Sequence, residues 1–397
     1  MVPSLRERFN REYSPGKYRK FLDRLNQVCG TPTAFRVSET PCFLPATLLQ
    51  KMCDYGRELT LQLVNDPKYR KASDAAVPAQ YNVPNESARP MFLQVDFGIV
   101  CNSKGELEPK LVELQAFPSL YGYQPALAEQ YIESYGLPAK LKVLFSELNE
   151  DSYWQLMRRL VVDGCDPENV VLMEIDPYEQ KTLPDFLITQ KRLGIAIANI
   201  RELVKQGKCL FYAKSGKLVP IKRIYNRCIV DELERKRVEL PFDFREELEV
   251  EWAGHPNWYF RISKFSIPYL RHPSVPKTFF LSEVKHLPAD RENYVLKPLY
   301  AFAGAGIRFA PTDQEIAAIP PQQRHNYILQ ERINFSPVVK TPHGDTQIEV
   351  RIMYVWPEGG ELIPVLPLVR MGRGKMMGVD HNRNLEWVGS SAGLIVS

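Results

Sequence analysis

Lys297 stands at the end of a short apolar, β-favouring run and just ahead of a small-residue loop, in the stretch 294–309, YVLKPLYAFAGAGIRF. A lysine on a strand supplies a compact positive charge, and glycines at 304 and 306 let backbone N–H groups come close to an anion. Together they suit an oxyanion, with phosphate as the natural guest. The same stretch also reads as an ordinary hairpin with a surface lysine, because Gly-x-Gly in a loop is a weak signal. A second group lies early in the chain: Asp96 within 91–101 (MFLQVDFGIVC), and Glu113 and Gln115 within 110–117 (KLVELQAF), across the turn 102–105 (NSKG). Period-two alternation puts Glu113 and Gln115 on one face, and a hairpin brings Asp96 to it. Carboxylates among apolar strands are costly unless paired or bound to a cation, and two carboxylates with an amide oxygen suit Mg2+. The rival reading puts both acids on the solvent side of an edge hairpin.

The elements that must position these groups follow from hydrophobic periodicity. Residues 4–25 read as an opening helix, 45–65 as a second, and 67–90 as an irregular connection. After the two strands around Asp96 and Glu113 come an aromatic turn at 118–124 (PSLYGYQ) and a helix over 125–135. Another helix is expected over 144–160. Strands at 170–175, 194–199, 210–212 and 217–225 then alternate with helices at 182–193 and 200–206, the pattern of a small α/β unit with a parallel sheet. That unit has no GxGxxG, so no dinucleotide site is read there. Residues 235–251 are densely charged and read as a helix-rich connector. Later strands are expected at 326–333, 349–355 and 362–369, and the tail carries a GSSAG turn. No internal repeat or low-complexity tract is present.

With 397 residues, 44% hydrophobic and 25% charged, the chain has material for two or three domains with substantial cores. A net charge of +4, scattered along the chain, gives no reason to expect nucleic acid. The first twenty residues lack the apolar centre of a signal peptide, and no run approaches a membrane span of ~20 apolar residues. The expectation is a cytoplasmic protein with no membrane partner. Seven dispersed cysteines without a CxxC read as reduced thiols. Cys42, between two prolines, has no motif to make it a nucleophile and reads as structural. The six histidines form no cluster.

Taken in order, the stretches RISKF (261–265), VPKT (275–278), YVLKP (294–298), the AGAGI loop and ILQERI (328–333), with Arg351 on a later strand, resemble an ATP-grasp ligase. The resemblance implies that Lys264 and Lys297 bind ATP phosphates, and that the loop 301–306, with Ala303, Gly304 and Gly306, is the flap over them. It also implies that Gln330, Glu331 and Ile333 form the hinge that reads adenine, and that Arg351 contacts phosphate. That family usually carries its metal-binding acids near the C-terminus, whereas here Asp96 and Glu113-x-Gln115 come early. This order is similar to the circularly permuted ATP-grasp proteins of the glutathionylspermidine synthetase type, and there the three residues would hold Mg2+. One departure stands out: the family has asparagine where this chain has Gln115.

The implied fold is an α/β protein with α+β lobes, a circularly permuted ATP-grasp fold with a small parallel α/β domain. Residues 1–160 would carry the Mg2+-binding carboxylates, 161–245 the small substrate-side domain, and 246–397 the lobe with the lysines, glycine loop and hinge. The implied activity is ATP-dependent joining of a small-molecule carboxylate to an amine through an acylphosphate, with Arg351 and Arg370 or Arg373 stabilising the transferring phosphoryl group. Two rivals stay open: a nucleotide-binding scaffold with a degenerate metal site, for which Gln115 speaks, and a small-molecule kinase.

Overall fold

Alternation in the strand Phe92–Cys101 sets the architecture. Leu93, Val95, Phe97 and Ile99 point to one face, where they join a large apolar core, and Gln94 and Asp96 point to the other. The computed structural model describes residues 2–300, 306–374, 377–378, 381–382 and 384–397. It is a mixed α+β structure with several sheets. The main sheet has seven strands, ordered Cys42–Pro45, Gly389–Val396, Ile363–Gly372, Gly344–Val355, Phe92–Cys101 and Leu107–Gln115, with Val339–Thr341 also pairing on Gly344–Val355. All pairings are antiparallel except that of Cys42–Pro45 with Gly389–Val396.

The apolar face of this sheet packs on the helix Ala46–Val64 through Leu48, Leu49, Met52 and Leu59. Each such side chain contributes about 1.5–3 kcal/mol of burial. The Tyr354 hydroxyl closes the contact by donating to the carbonyl of Cys53 at 2.9 Å. Gly56 permits that approach, since a Cβ there would collide with the hydroxyl. The opposite face packs in part on a second apolar core, through Phe92, Met353, Val355 and Leu366, and the polar side chains on the rest of it face a cavity.

A second sheet is parallel throughout, in the order Glu251–Ala253, Arg223–Asn226, Val170–Glu174, Ala196–Asn199. It bears out the parallel pattern expected of the middle of the chain for the strands at 170–175 and 194–199, whereas the strand read at 210–212 lies in a separate antiparallel sheet, between Val204–Gln206 and Lys217–Ile221. Helices Glu150–Val161 and Leu183–Leu193 pack with the parallel sheet. A third sheet is antiparallel, in the order Thr278–Phe280, Tyr327–Glu331, Tyr294–Pro298, Arg308–Phe309. The two strands expected around Lys297 are therefore present, with Val295 opposite Phe309, while 301–305 of the loop between them lie outside the described residues.

Several expectations are corrected. The opening helix is two, Pro3–Glu12 and Pro15–Cys29, because Pro15 has no N–H to continue the first and instead starts the second behind Ser14, whose side chain accepts from the Lys17 N–H. The helix read at 144–160 begins later, as Glu150–Val161. Residues 236–250 contain no helix: the segment runs through turns and bends, anchored on the parallel sheet by the buried Phe242 and Phe244. The short helix at 200–206 is a single 3-10 turn, Ile200–Glu202, followed by the strand Val204–Gln206, which pairs with Cys209–Lys214. The strand read at 217–225 is two, Lys217–Ile221 and Arg223–Asn226, serving different sheets. GSSAG is no turn but the start of the buried strand Gly389–Val396, where small side chains fit between two neighbours. Gly389 has a left-handed φ of 116°, and a Cβ there would strike the Arg36 carbonyl.

No helix among the described residues is long and apolar enough to cross a membrane. All seven cysteines are free. Burial pushes the Cys42 thiol up to about 12, which fits a structural role.

Candidate functional site

The hairpin is built by its turn. Asn102 Oδ1 accepts from the N–H groups of Lys104 and Glu106, which fixes the register of the two strands. Asp96 then lies opposite Glu113, and Gln94 opposite Gln115. On its other side Asp96 lies opposite Arg351 of the strand Gly344–Val355. Side chains two apart on these strands face the same way, so Gln94, Asp96, Glu113, Gln115, Glu349, Arg351 and Arg370 form one polar patch on the main sheet.

Within that patch Asp96 is nearly sealed from solvent, at 1% exposure, beside the fully buried Gln94. Arg351 grips it in a fork: Nε donates to Oδ1 at 2.5 Å and Nη2 to Oδ2 at 2.7 Å. Arg370 Nη1 adds a third bond to Oδ2 at 3.1 Å and also donates to Glu349. Arg351 Nη1 donates to Gln94 Oε1 at 2.7 Å, and the Gln115 amide, turned so that its oxygen meets a donor, accepts from the same nitrogen at 3.1 Å. Burial opposes ionisation of Asp96, but Arg351 and Arg370 outweigh it and hold the carboxyl below its usual value. Glu349 goes the other way. Burial raises it, reinforced by Asp96 and Glu113, against the pull of Arg370.

Facing the patch is the second wall, with Lys264 at the head of the 3-10 segment Lys264–Tyr269 and Lys297 on the strand Tyr294–Pro298. Lys264 Nζ lies 3.8 Å from Glu113 Oε2. Lys297 is nearly sealed from solvent. Burial lowers its pKa to about 8; neighbouring Lys264 pushes the same way, and Glu113 and Glu349 resist. Between the walls lies a cavity of about 650 Å3, within the range of small-molecule sites. Lys and Arg side chains outnumber carboxylates along its described lining.

Of the residues singled out in the sequence, Glu113, Gln115, Lys264, Lys297, Gln330, Glu331, Ile333, Arg351 and Arg373 all line this one cavity, and Asp96 lies directly behind it. Gln330 is buried, and its Nε2 has no hydrogen-bond partner. Arg373 is tied at 3.2 Å to Thr346 Oγ1 and at 2.6 Å to the Glu386 carbonyl. Gly306 has a left-handed φ of 71° where the chain re-enters toward Arg308–Phe309. Ala303 and Gly304 lie outside the described residues. Two members of the patch, Gln94 and Glu349, were not foreseen. The signal for both was period two, since each sits two residues from a charged residue already marked on its strand.

With this geometry in view, one solved structure offers a comparison. The fold resembles that of a glutathione synthetase-like effector. That protein, from Globodera pallida in its apo form, aligns at a TM-score of 0.59 and 11% identity, over 97% of this chain and 98% of the other. No protein-family model and no curated protein sequence matches the chain. The likeness is one of fold, and it agrees with the α+β sheets described above.

The donor set expected for Mg2+ does not suit a divalent cation as it stands. Both oxygens of Asp96 are taken by guanidinium N–H groups, and the Gln115 oxygen meets Arg351 as well. Of those three residues only Glu113 lines the cavity with a carboxylate, and its Oε2 already lies 3.8 Å from Lys264 Nζ. Among the described residues no group of three His, Cys, Asp or Glu side chains could hold a metal ion. The lysine pair and the remaining guanidinium edge of Arg370 fit an anion far better than a cation.

Proposed function

We propose that the chain is a circularly permuted ATP-grasp protein that binds ATP in the 650 Å3 cavity and joins a carboxylate to an amine. One observation carries this reading: the early hairpin with Glu113 and the late segments with Lys264 and Lys297 form opposite walls of a single cavity, 3.8 Å apart at the nearest charged pair. The fold similarity supports it, and the neighbour's description as glutathione synthetase-like points to amide formation. Lys264 and Lys297 take the phosphates. Gln330, Glu331 and Ile333 receive the base. The substrates enter from the side where Lys181, Thr182 and Ile229 reach the cavity, beyond the carboxyl ends of the parallel strands.

In the first step an oxygen of the substrate carboxylate attacks the γ-phosphorus and ADP departs, leaving an acylphosphate. In the second an amine nitrogen attacks the acyl carbon, phosphate leaves, and the amine gives up a proton. Neither step needs a protein nucleophile. Arg370 and Arg373 offer planar donors, and Lys264 and Lys297 point charges, to the phosphoryl oxygens as charge shifts between them. A second reading, a nucleotide-binding scaffold without catalysis, is favoured by one observation: Asp96 is fully engaged by arginine.

Hydroxylamine separates the two. A ligase incubated with ATP, candidate amino acids or short peptides and hydroxylamine releases ADP and forms a hydroxamate, because an acylphosphate is intercepted. ATP binding with neither product would establish the scaffold, and ADP release with a stable phosphorylated product would establish a kinase.

A further inference from the structure

The engagement of Asp96 has a consequence for how the cavity handles the charge of its ligand. Resting on the reading that a nucleoside triphosphate binds here, we infer that the cavity takes the triphosphate as the metal-free anion, and that Arg351 is the residue that makes a divalent cation unnecessary. Arg351 occupies the middle of the patch where a metal would have to sit between Asp96, Glu113 and Gln115. The sheet register places it directly across from Asp96, so the fork is a product of strand pairing and not of a chance rotamer.

The hydrogen-bond inventory closes around it. Asp96 spends Oδ1 on Arg351 and Oδ2 on Arg351 and Arg370. The amide oxygens of Gln94 and Gln115 turn onto Arg351. A metal on Asp96 would have to break a buried, bidentate charge pair and leave a guanidinium at 5% exposure without its counter-ion, a costly exchange. Arg351 is thus a positioning residue. It neutralises Asp96, which would otherwise repel phosphate, and it leaves Arg370 clamped at one edge by Asp96 and Glu349 with side-chain surface on the cavity. Lys264, Lys297 and Arg370 then meet the phosphate oxygens directly, the work a metal ion does in sites that rely on one.

The test is calorimetric titration of the wild-type chain with ATP, once in EDTA and once in excess Mg2+. The expected result is binding in EDTA as tight as in Mg2+ or tighter, with the Mg2+ arm weaker by about tenfold if only the free tetra-anion is accepted. Binding that requires Mg2+, or that is more than about tenfold tighter with it, overturns the inference while leaving the nucleotide reading intact. Binding in neither condition overturns both. Mn2+ spectroscopy of the ternary mixture gives an independent readout. No protein-bound Mn2+ signal is expected, and a stoichiometric one counts against the proposal. The Arg351→Gln variant should shift the preference toward Mg2+, because Asp96 is then partly released. A merely structural arginine would lower stability and leave the ratio of the two affinities unchanged. Should that variant fail to fold, the wild-type comparison decides alone.

Discussion

At the scale of single residues Lys297 is the most informative. Its ammonium is buried beside Glu113, Lys264 and Glu349, and burial lowers its pKa to about 8. A bound polyphosphate adds negative charge beside it and must raise that value. A group whose pKa rises on binding contributes its full share of affinity below the free value and loses it as pH climbs toward the bound value. Above the range in which the terminal phosphate itself titrates, ATP affinity should therefore hold up to about pH 8 and weaken beyond it. Titrations at pH 8 in buffers of different ionisation enthalpy should show net proton uptake, and the absence of uptake would remove Lys297 from the binding site. The Lys297→Met variant should lose affinity at least about tenfold yet melt higher at neutral pH. The sign follows from the folded pKa lying below the unfolded one. Charging the buried amine costs stability below about pH 8, and that cost fades as pH rises toward the unfolded value, so its removal contributes roughly 1–3 kcal/mol at pH 7. The position of Lys297 was legible in the sequence, because an apolar run delivers it to a strand end. Its partners were not: Glu113 and Lys264 approach it only through tertiary packing.

At the scale of elements, what could be read from the sequence was whatever depends on local periodicity. The strands around Asp96 and Glu113, their hairpin turn and the shared face of Glu113 and Gln115 all follow from period two and a turn signal. The arrival of Arg351 opposite Asp96 does not, because register between strands so far apart is settled by the whole sheet. This is why three oxygens read as a metal site fold into a carboxylate–guanidinium network. GSSAG misleads for a related reason, since small residues mark turns and also mark crowded strands inside a sheet. Helix Ala46–Val64 offers a test of such crowding. Ala is the better helix former by about 1 kcal/mol, but at Gly56 its methyl would meet the Tyr354 hydroxyl. Gly56→Ala should therefore destabilise the chain by about 1–3 kcal/mol in urea titrations, and Tyr354→Phe in the same chain should recover part of the loss. A strictly additive double variant would mean that the two sites do not touch.

For the whole molecule, the question is whether one ligand spans both walls. The hairpin strand Leu107–Gln115 comes early and Tyr294–Pro298 late, and they belong to different sheets that meet at the cavity. A permuted order was expected from the sequence of the motifs, with the acids early and the lysines late. That the two groups share a cavity required the fold, because nothing local in either stretch encodes its distance from the other. A ligand that binds only the assembled cavity must stabilise the folded state by mass action, about 2.7 kcal/mol when present at 100 times its Kd. ATP at that excess should raise the melting temperature, and added salt should shrink the shift because the contacts are charged. Hydrogen exchange locates the effect. Slower exchange is expected together in peptides covering 107–115, 294–298 and 327–331, since opening either wall releases the ligand. Protection confined to the 294–331 segments would mean that the nucleotide rests on the small sheet alone, and the carboxylate–guanidinium patch would then have no part in holding it.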